Sequence, residues 1–299
     1  MIVGVVPSPG NRHLINRPAR RKDARQPPWK SRLVRQLGHT GPMRIELAGL
    51  PGDPARPNED FVSAVLPASG RGGVLVLLDG VTPPPSGDDG CAHSVAWFTA
   101  RLGGALVELC AARREMSLRA CLAEAIVRTA AAHGDGCDLA HRRTPQATVV
   151  LARWDGTRVE HLVLSDSVLL VEAADGAVTA VLDDRIARLA ARGPVTDAQR
   201  NAEGGFFTAA ADPAVVSRAV TGVLPRAEVR ALAALSDGAS RWVEVFRAGD
   251  WAQCLGLLAK SGPSALIDRV RAAELADPQC AAFRRGKAHD DASAVYVEL

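Results

Sequence analysis

The chain has 299 residues, 47% hydrophobic and 23% charged, with a formal net charge of +3. That balance describes a globular protein long enough to bury a sizeable core, and no apolar run approaches the roughly 20 residues of a membrane-spanning helix. The charge is uneven: nine Arg and Lys precede Met43 against Asp23 alone, so the remainder is mildly acidic and offers no basic face for nucleic acid.

Residues 1–42 are polar, basic and proline-containing, without helical or alternating periodicity, and read as a disordered tail. A regular pattern begins at Met43, which reads as a second candidate start of translation; a basic arm for an acidic partner is the other reading. Residues 43–299 read as one domain. Its first strands are expected at 44–49, 60–66 and 73–79, followed by amphipathic helices over 89–113 and 117–132. The segments "QATVVLARW", "RVEHLVLSDS", "VLLVEAA" and "AVTAVL" read as a four-strand meander turned at Asp155-Gly156 and Asp175-Gly176. Short helices are expected at 183–192 and 212–219. The strand "VRALAALSD" then leads into helices near 239–248, 250–260 and 263–276, and "ASAVYVEL" closes the chain as a strand. Antiparallel strand groups interrupted by helix pairs predict an α+β sandwich. Six cysteines, at 91, 110, 121, 137, 254 and 280, follow no secretory signal, so reduced thiols in a cytoplasmic protein are expected.

Carboxylates recur where apolar strands begin or end. "VLVLLDG" delivers Asp79-Gly80, "ALSDG" delivers Asp237-Gly238, "HDDAS" opens the last strand with Asp290 and Asp291, and "RPNED" places Glu59 and Asp60 before another. A lone Asp-Gly is a turn signal. Several carboxylates meeting unpaired in one fold would be costly unless a cation gathered them. The "LLDGVT" stretch lacks the nucleophilic carboxylate of dehalogenase-like phosphatases, since Leu77 stands in its place. No GxxxxGK[ST] phosphate loop is present.

In order and spacing, "RPNED", "LLDG", "LSDS", "LSDG" and "HDDAS" resemble the metal-dependent protein phosphatase family, the protein phosphatase 2C class, over 43–299. The resemblance implies an α-β-β-α sandwich of two antiparallel sheets flanked by helices, and hydrolysis of phosphoserine and phosphothreonine in proteins. It implies two ions, Mg²⁺ or Mn²⁺, with Asp79 bridging them, Gly80 ligating through its carbonyl, and Asp237 and Asp290 completing the first. Glu59 and Asp60 would hold metal-bound waters, Arg56 would bind the phosphate, and Asp166 matches the residue linked to a third, weaker ion. Hard oxygen donors suit these cations, and two of them make a water nucleophilic without a covalent intermediate.

The chain departs from the family's pattern at Val81, where a His is common, at Ser165 in place of a Gly, at Arg241 in place of an Asp, and at Asp291 in place of an Asn. A regulatory protein of the same fold with weak or no activity is the alternative function. A DNA-binding or recombinase reading rests on the basic tail alone. The expected partner is a phosphorylated protein, with neither nucleic acid nor membrane, and the expected state is a monomer. His133, Cys137 and His141, with Cys91 and His93 as candidates to lie near them, raise the question of zinc, but Gly134 and Gly136 interrupt the helical spacing and favour packing and loop roles.

Overall fold

The structure, a computed structural model, describes residues 43–83 and 90–299; the basic segment before Met43 and the prolines at 84 and 85 lie outside it. Among the described residues, ten strands form two five-stranded antiparallel sheets. One has β2 (Phe61–Val65), β3 (Gly73–Gly80), β4 (Ala147–Trp154), β5 (Arg158–Leu164) and β8 (Val220–Pro225) in that order. The other runs β1 (Arg44–Leu50), β10 (Ala292–Glu298), β9 (Val229–Leu235), β6 (Val168–Ala173), β7 (Val178–Val181). The helices α1 (Val95–Ala112) and α2 (Leu118–Ala132) cover the first sheet, while α4 (Asp237–Glu244) and α5 (Trp251–Ala276) cover the second; α3 (Arg185–Ala190) follows β7.

Three apolar layers result, and strand parity assigns residues to them. In β3, Val74, Val76 and Leu78 pack under α1 and α2, whereas Leu75 and Leu77 join Leu169, Leu232 and Val295 between the sheets. Burial on both faces explains why β3 reads as a continuous apolar run rather than an alternation. The same parity carries Asp79 onto the face shared by the two sheets. On β2, Val62 and Ala64 point to that shared layer, so Asp60 does too. Phe61 pairs with Leu78, which sets Asp60 and Asp79 opposite each other one step further on.

Several expectations need correction. The four strands after Gln146 are not one meander: β4 and β5 belong to one sheet, β6 and β7 to the other. The switch falls at Ser165-Asp166-Ser167, where Ser165 takes φ 71 and redirects the chain. Strand β8, with Gly222 inside it and Pro225 at its end, was not expected. Helix α1 starts at Val95 because the Ser94 side chain accepts from the Trp97 N–H and caps it. By length and composition α1 could cross a membrane, against the expectation from run lengths; here Phe98, Leu102, Leu106 and Leu109 bury its face on the sheet. Helix α5 breaks at Gly262 (φ 79) before Pro263, as the two expected segments require.

Candidate metal and phosphate site

Strand ends place the acidic residues together at one end of the sandwich. Asp79 and Asp237 line a cavity of about 300 Å³ with Gly80, Thr82, Asp166, Arg241, Lys287 and Asp290. The Asp237 N–H, at the start of α4, donates to Asp79 Oδ2 at 2.9 Å. This geometry needs Gly238: a Cβ there would stand 2.0 Å from the Asp291 carbonyl oxygen. Gly80 is equally constrained, since a Cβ would meet Val95 Cγ1 at 2.5 Å and the Glu59 carbonyl at 2.6 Å.

The electrostatics are those of a crowded acidic site. Burial, then repulsion from Asp237 and Asp60, raises the Asp79 carboxyl well above its ordinary range. Burial does the same to Asp60, where the hydroxyls of Ser293 and Ser236 only partly offset it. Asp237 is pushed up to about 7 by burial and by Asp290 and Asp166. Neither Asp60 oxygen has a hydrogen-bond partner of good geometry among the described residues, although both are out of contact with solvent. An orphaned buried carboxylate beside two others is the donor set a hard divalent cation requires, so these residues fit the expected ions.

A pH dependence follows. The carboxyls bind protons more tightly folded than unfolded, so the metal-free protein should lose stability as pH rises from about 4, the unfolded carboxylate range, to about 7, where Asp237 titrates. Added Mn²⁺ should flatten or reverse that slope. Melting temperatures against pH, with and without Mn²⁺, check it; stability that rises over this window without metal would contradict it.

Asp290 lines the same cavity but is engaged by two cations: Arg241 donates to its Oδ2 at 2.8 Å and Lys287 Nζ to its Oδ1 at 2.9 Å. Lys287 also donates to Thr82 Oγ1 at 2.8 Å, and Thr82 donates to Glu59 Oε2 at 2.5 Å. Burial works against the Lys287 charge, but Asp290, Asp237 and Asp79 together raise its pKa above the ordinary value. Arg241 is itself buried and donates to Glu274 Oε1 at 2.6 Å. Thus the position that could have supported a third ion beside Asp166 holds a cation instead. Asp166 is raised by burial first, and Ser165 donates to its Oδ1 at 3.2 Å. Asp291 does not line that cavity, although its charge adds to the repulsion on Asp60: its oxygens accept from the Gly52 N–H at 2.8 Å and the Glu59 N–H at 2.6 Å, which ties the RPNED loop to the last strand.

Arg56 is exposed and lines a neighbouring cavity of about 470 Å³ with Glu59, Thr82, Lys287, His289, Asp290 and Asp291. The two cavities share Thr82, Lys287 and Asp290 as a common wall. Sequence reasoning missed Lys287 and the Arg241–Glu274 pair, because nothing in their spacing relates them to the acidic motifs. The His and Cys residues gather elsewhere: Cys91, His93, His133 and Cys137 converge. His141 stays apart, its Nδ1 accepting from the Arg143 N–H at 3.2 Å.

Residues 55–270 match the sequence model of the family described as Protein phosphatase 2C. A search of curated protein sequences finds no match. Solved structures share the fold at low identity. The serine/threonine phosphatase Stp1 from Staphylococcus aureus is 15% identical with a TM-score of 0.55, covering 89% of this chain and 98% of its own. PppA, described as a key regulatory component of T6SS in Pseudomonas aeruginosa, is 18% identical with a TM-score of 0.54, covering 86% and 97%. The catalytic domain of the serine/threonine phosphatase PstP, solved with two manganese ions, is 20% identical with a TM-score of 0.51, covering 86% and 97%.

Proposed function

The chain belongs to the protein phosphatase 2C family, and on that premise we propose that it hydrolyses phosphoserine and phosphothreonine in proteins with two divalent ions, Mg²⁺ or Mn²⁺. One observation carries the reading: Asp60, Asp79 and Asp237 meet, half-buried and mutually repelling, where two sheets and α4 converge. Such a cluster is tolerable only protonated or neutralised by cations. Asp79, Asp237, Asp290 and the Gly80 carbonyl would hold the ions, Glu59 and Asp60 would order the water around them, while Arg241 at the position beside Asp166 argues against a third ion. The two manganese ions in PstP support the same stoichiometry. When bound, the ions supply the Lewis acidity that makes water nucleophilic at neutral pH and offset charge on the phosphoryl group.

The chain's own residues do the rest. Arg56 and Lys287 present a guanidinium and an ammonium to the cavity beside the acidic cluster, where a phosphate monoester would be oriented. Lys287 is held there by Asp290 and Thr82. Val81 offers no proton to a leaving alcohol, so protonation must come from solvent or a neighbouring group.

Arg56→Ala should therefore raise KM on the order of 10- to 100-fold, the worth of one charged hydrogen bond, with metal affinity unchanged. Steady-state kinetics and a metal titration check this; loss of metal binding instead would make Arg56 a support for the loop of Glu59 and Asp60. The regulatory alternative is favoured by one observation, the capture of Asp290 by Arg241 and Lys287. Hydrolysis of an aryl phosphate by the full chain separates the two readings. Mn²⁺-dependent turnover supports the enzyme, and none at any metal concentration supports the regulator.

A further inference from the structure

Outside the acidic site, one group of side chains has no role in anything described above. Cys91 and His93 lie between β3 and α1, His133 caps the C-terminus of α2, and Cys137 lies in the following loop. Their ligand atoms all fall within 4.8 Å of one another. Cys91 Sγ is 3.2 Å from His133 Nδ1, 3.7 Å from His93 Nδ1 and 3.3 Å from Cys137 Sγ, and Cys137 Sγ is 3.4 Å from His93 Nδ1. Ligands on a tetrahedral zinc ion, with Zn–S about 2.3 Å and Zn–N about 2.0–2.1 Å, stand about 3.8 Å apart for two sulfurs and about 3.6 Å for sulfur and nitrogen. These four contacts, at 3.2–3.7 Å, are thus near the separations that a shared ion imposes. We propose that Cys91, His93, His133 and Cys137 bind one structural zinc ion that fastens the β3–α1 connection to the end of α2.

The surroundings suit that chemistry. Two thiolates and two neutral imidazoles around Zn²⁺ give a site of zero net charge, which tolerates partial burial. The Ala92 N–H donates to Cys137 Sγ at 3.5 Å and the His93 N–H to Cys91 Sγ at 3.3 Å, contacts that stabilise thiolates. Trp97 stacks on His93 at 3.9 Å between ring centroids and meets His133 edge-on at 4.8 Å, so both imidazoles are held in orientation by one indole. Gly134 takes φ +67 directly after His133 and turns the chain back toward Cys137. The Asp138 N–H donating to the Gly90 carbonyl at 2.7 Å closes the two loops from the other side. The two sulfurs stand 3.3 Å apart as thiols, not joined in a disulfide. Four protein ligands leave no open position, which makes the site structural rather than catalytic.

The consequence lies in the chain between Asp79 and α1. Thr82, which positions Glu59 and Lys287, belongs to that connection, and the zinc would anchor its far end. The reaction on forming the site is ligand exchange only: each thiol loses its proton to solvent as its sulfur takes the place of a zinc-bound water, with no change of oxidation state.

The test uses the full chain, purified without chelator and analysed for metal by mass spectrometry. Wild type should carry about one zinc per chain. Asp79→Asn, altered at the acidic site only, should carry the same amount, and Cys91→Ser with Cys137→Ser should fall to background. Because the double variant could misfold, a second readout uses wild type alone. Replacing zinc with Co²⁺ should give the intense visible bands of tetrahedral cobalt and the ultraviolet charge-transfer band of thiolate ligation. Zinc at background in wild type, a pale octahedral cobalt spectrum, or a Cys91–Cys137 disulfide in the purified protein would each overturn the proposal. Phosphatase activity enters none of these readouts, so the zinc site and the proposed reaction stand or fall separately.

Discussion

Asp79→Asn should lower activity by several orders of magnitude and abolish the Mn²⁺-induced rise in melting temperature. The carboxylate faces the layer between the sheets, opposite Asp60 and bonded to the Asp237 N–H, so a ligand there serves the whole cluster. Asparagine keeps the size and can still accept that N–H, but it removes one of the charges proposed to hold the ions. Without metal the variant should be no less stable than wild type. Asp79 is raised by burial and by Asp237, Asp60 and Asp166, and a neutral amide relieves that repulsion. Turnover and thermal melts with and without Mn²⁺ measure both effects. Equal metal-induced shifts in the two proteins would reduce Asp79 to the turn residue that Asp-Gly ordinarily marks.

Arg241→Ala should destabilise the protein by about 3–5 kcal/mol, the usual result of removing one partner from a buried ion pair. Arg241 is 5% exposed and bridges Glu274, which is fully buried, to Asp290. Glu274 keeps Arg271 at 2.6 Å and His289 at 3.0 Å, but these reach its other oxygen and leave Oε1 without Arg241. Denaturant titration should show a lower midpoint at an unchanged slope. A midpoint equal to wild type would mean that the pair breaks even against solvent and that Arg241 is held by packing alone.

The acidic site was legible because strand parity and strand ends are local. An apolar run ending in Asp79-Gly80 shows in sequence where a carboxylate leaves a sheet, and four further motifs in order supply the rest. The sheet switch at Ser165 was not legible, since a positive φ at a non-glycine residue leaves no compositional mark. Strand β8 escaped notice because it lies at a sheet edge with Gly222 and Pro225 in it. The Cys/His cluster was legible only in part. Helical spacing grouped His133, Cys137 and His141, with Cys91 and His93 as added candidates, whereas the fold joins Cys91 and His93 to His133 and Cys137 and leaves His141 out. Arg241 looked like a lost ligand; its bond to Glu274 shows it to be half of a buried pair.

If the clustered carboxylates form a metal centre that hydrolyses phosphoprotein, turnover must follow the metal bound. The full chain, stripped of divalent ions by chelator and then freed of the chelator, is given increasing Mn²⁺. Bound manganese and phosphate released from a phosphoserine peptide are measured in the same samples. The stripped protein should show no turnover, and turnover should rise with the manganese bound, toward about two ions per chain. Turnover that persists in the stripped protein, or saturating manganese with no phosphate released, would contradict it.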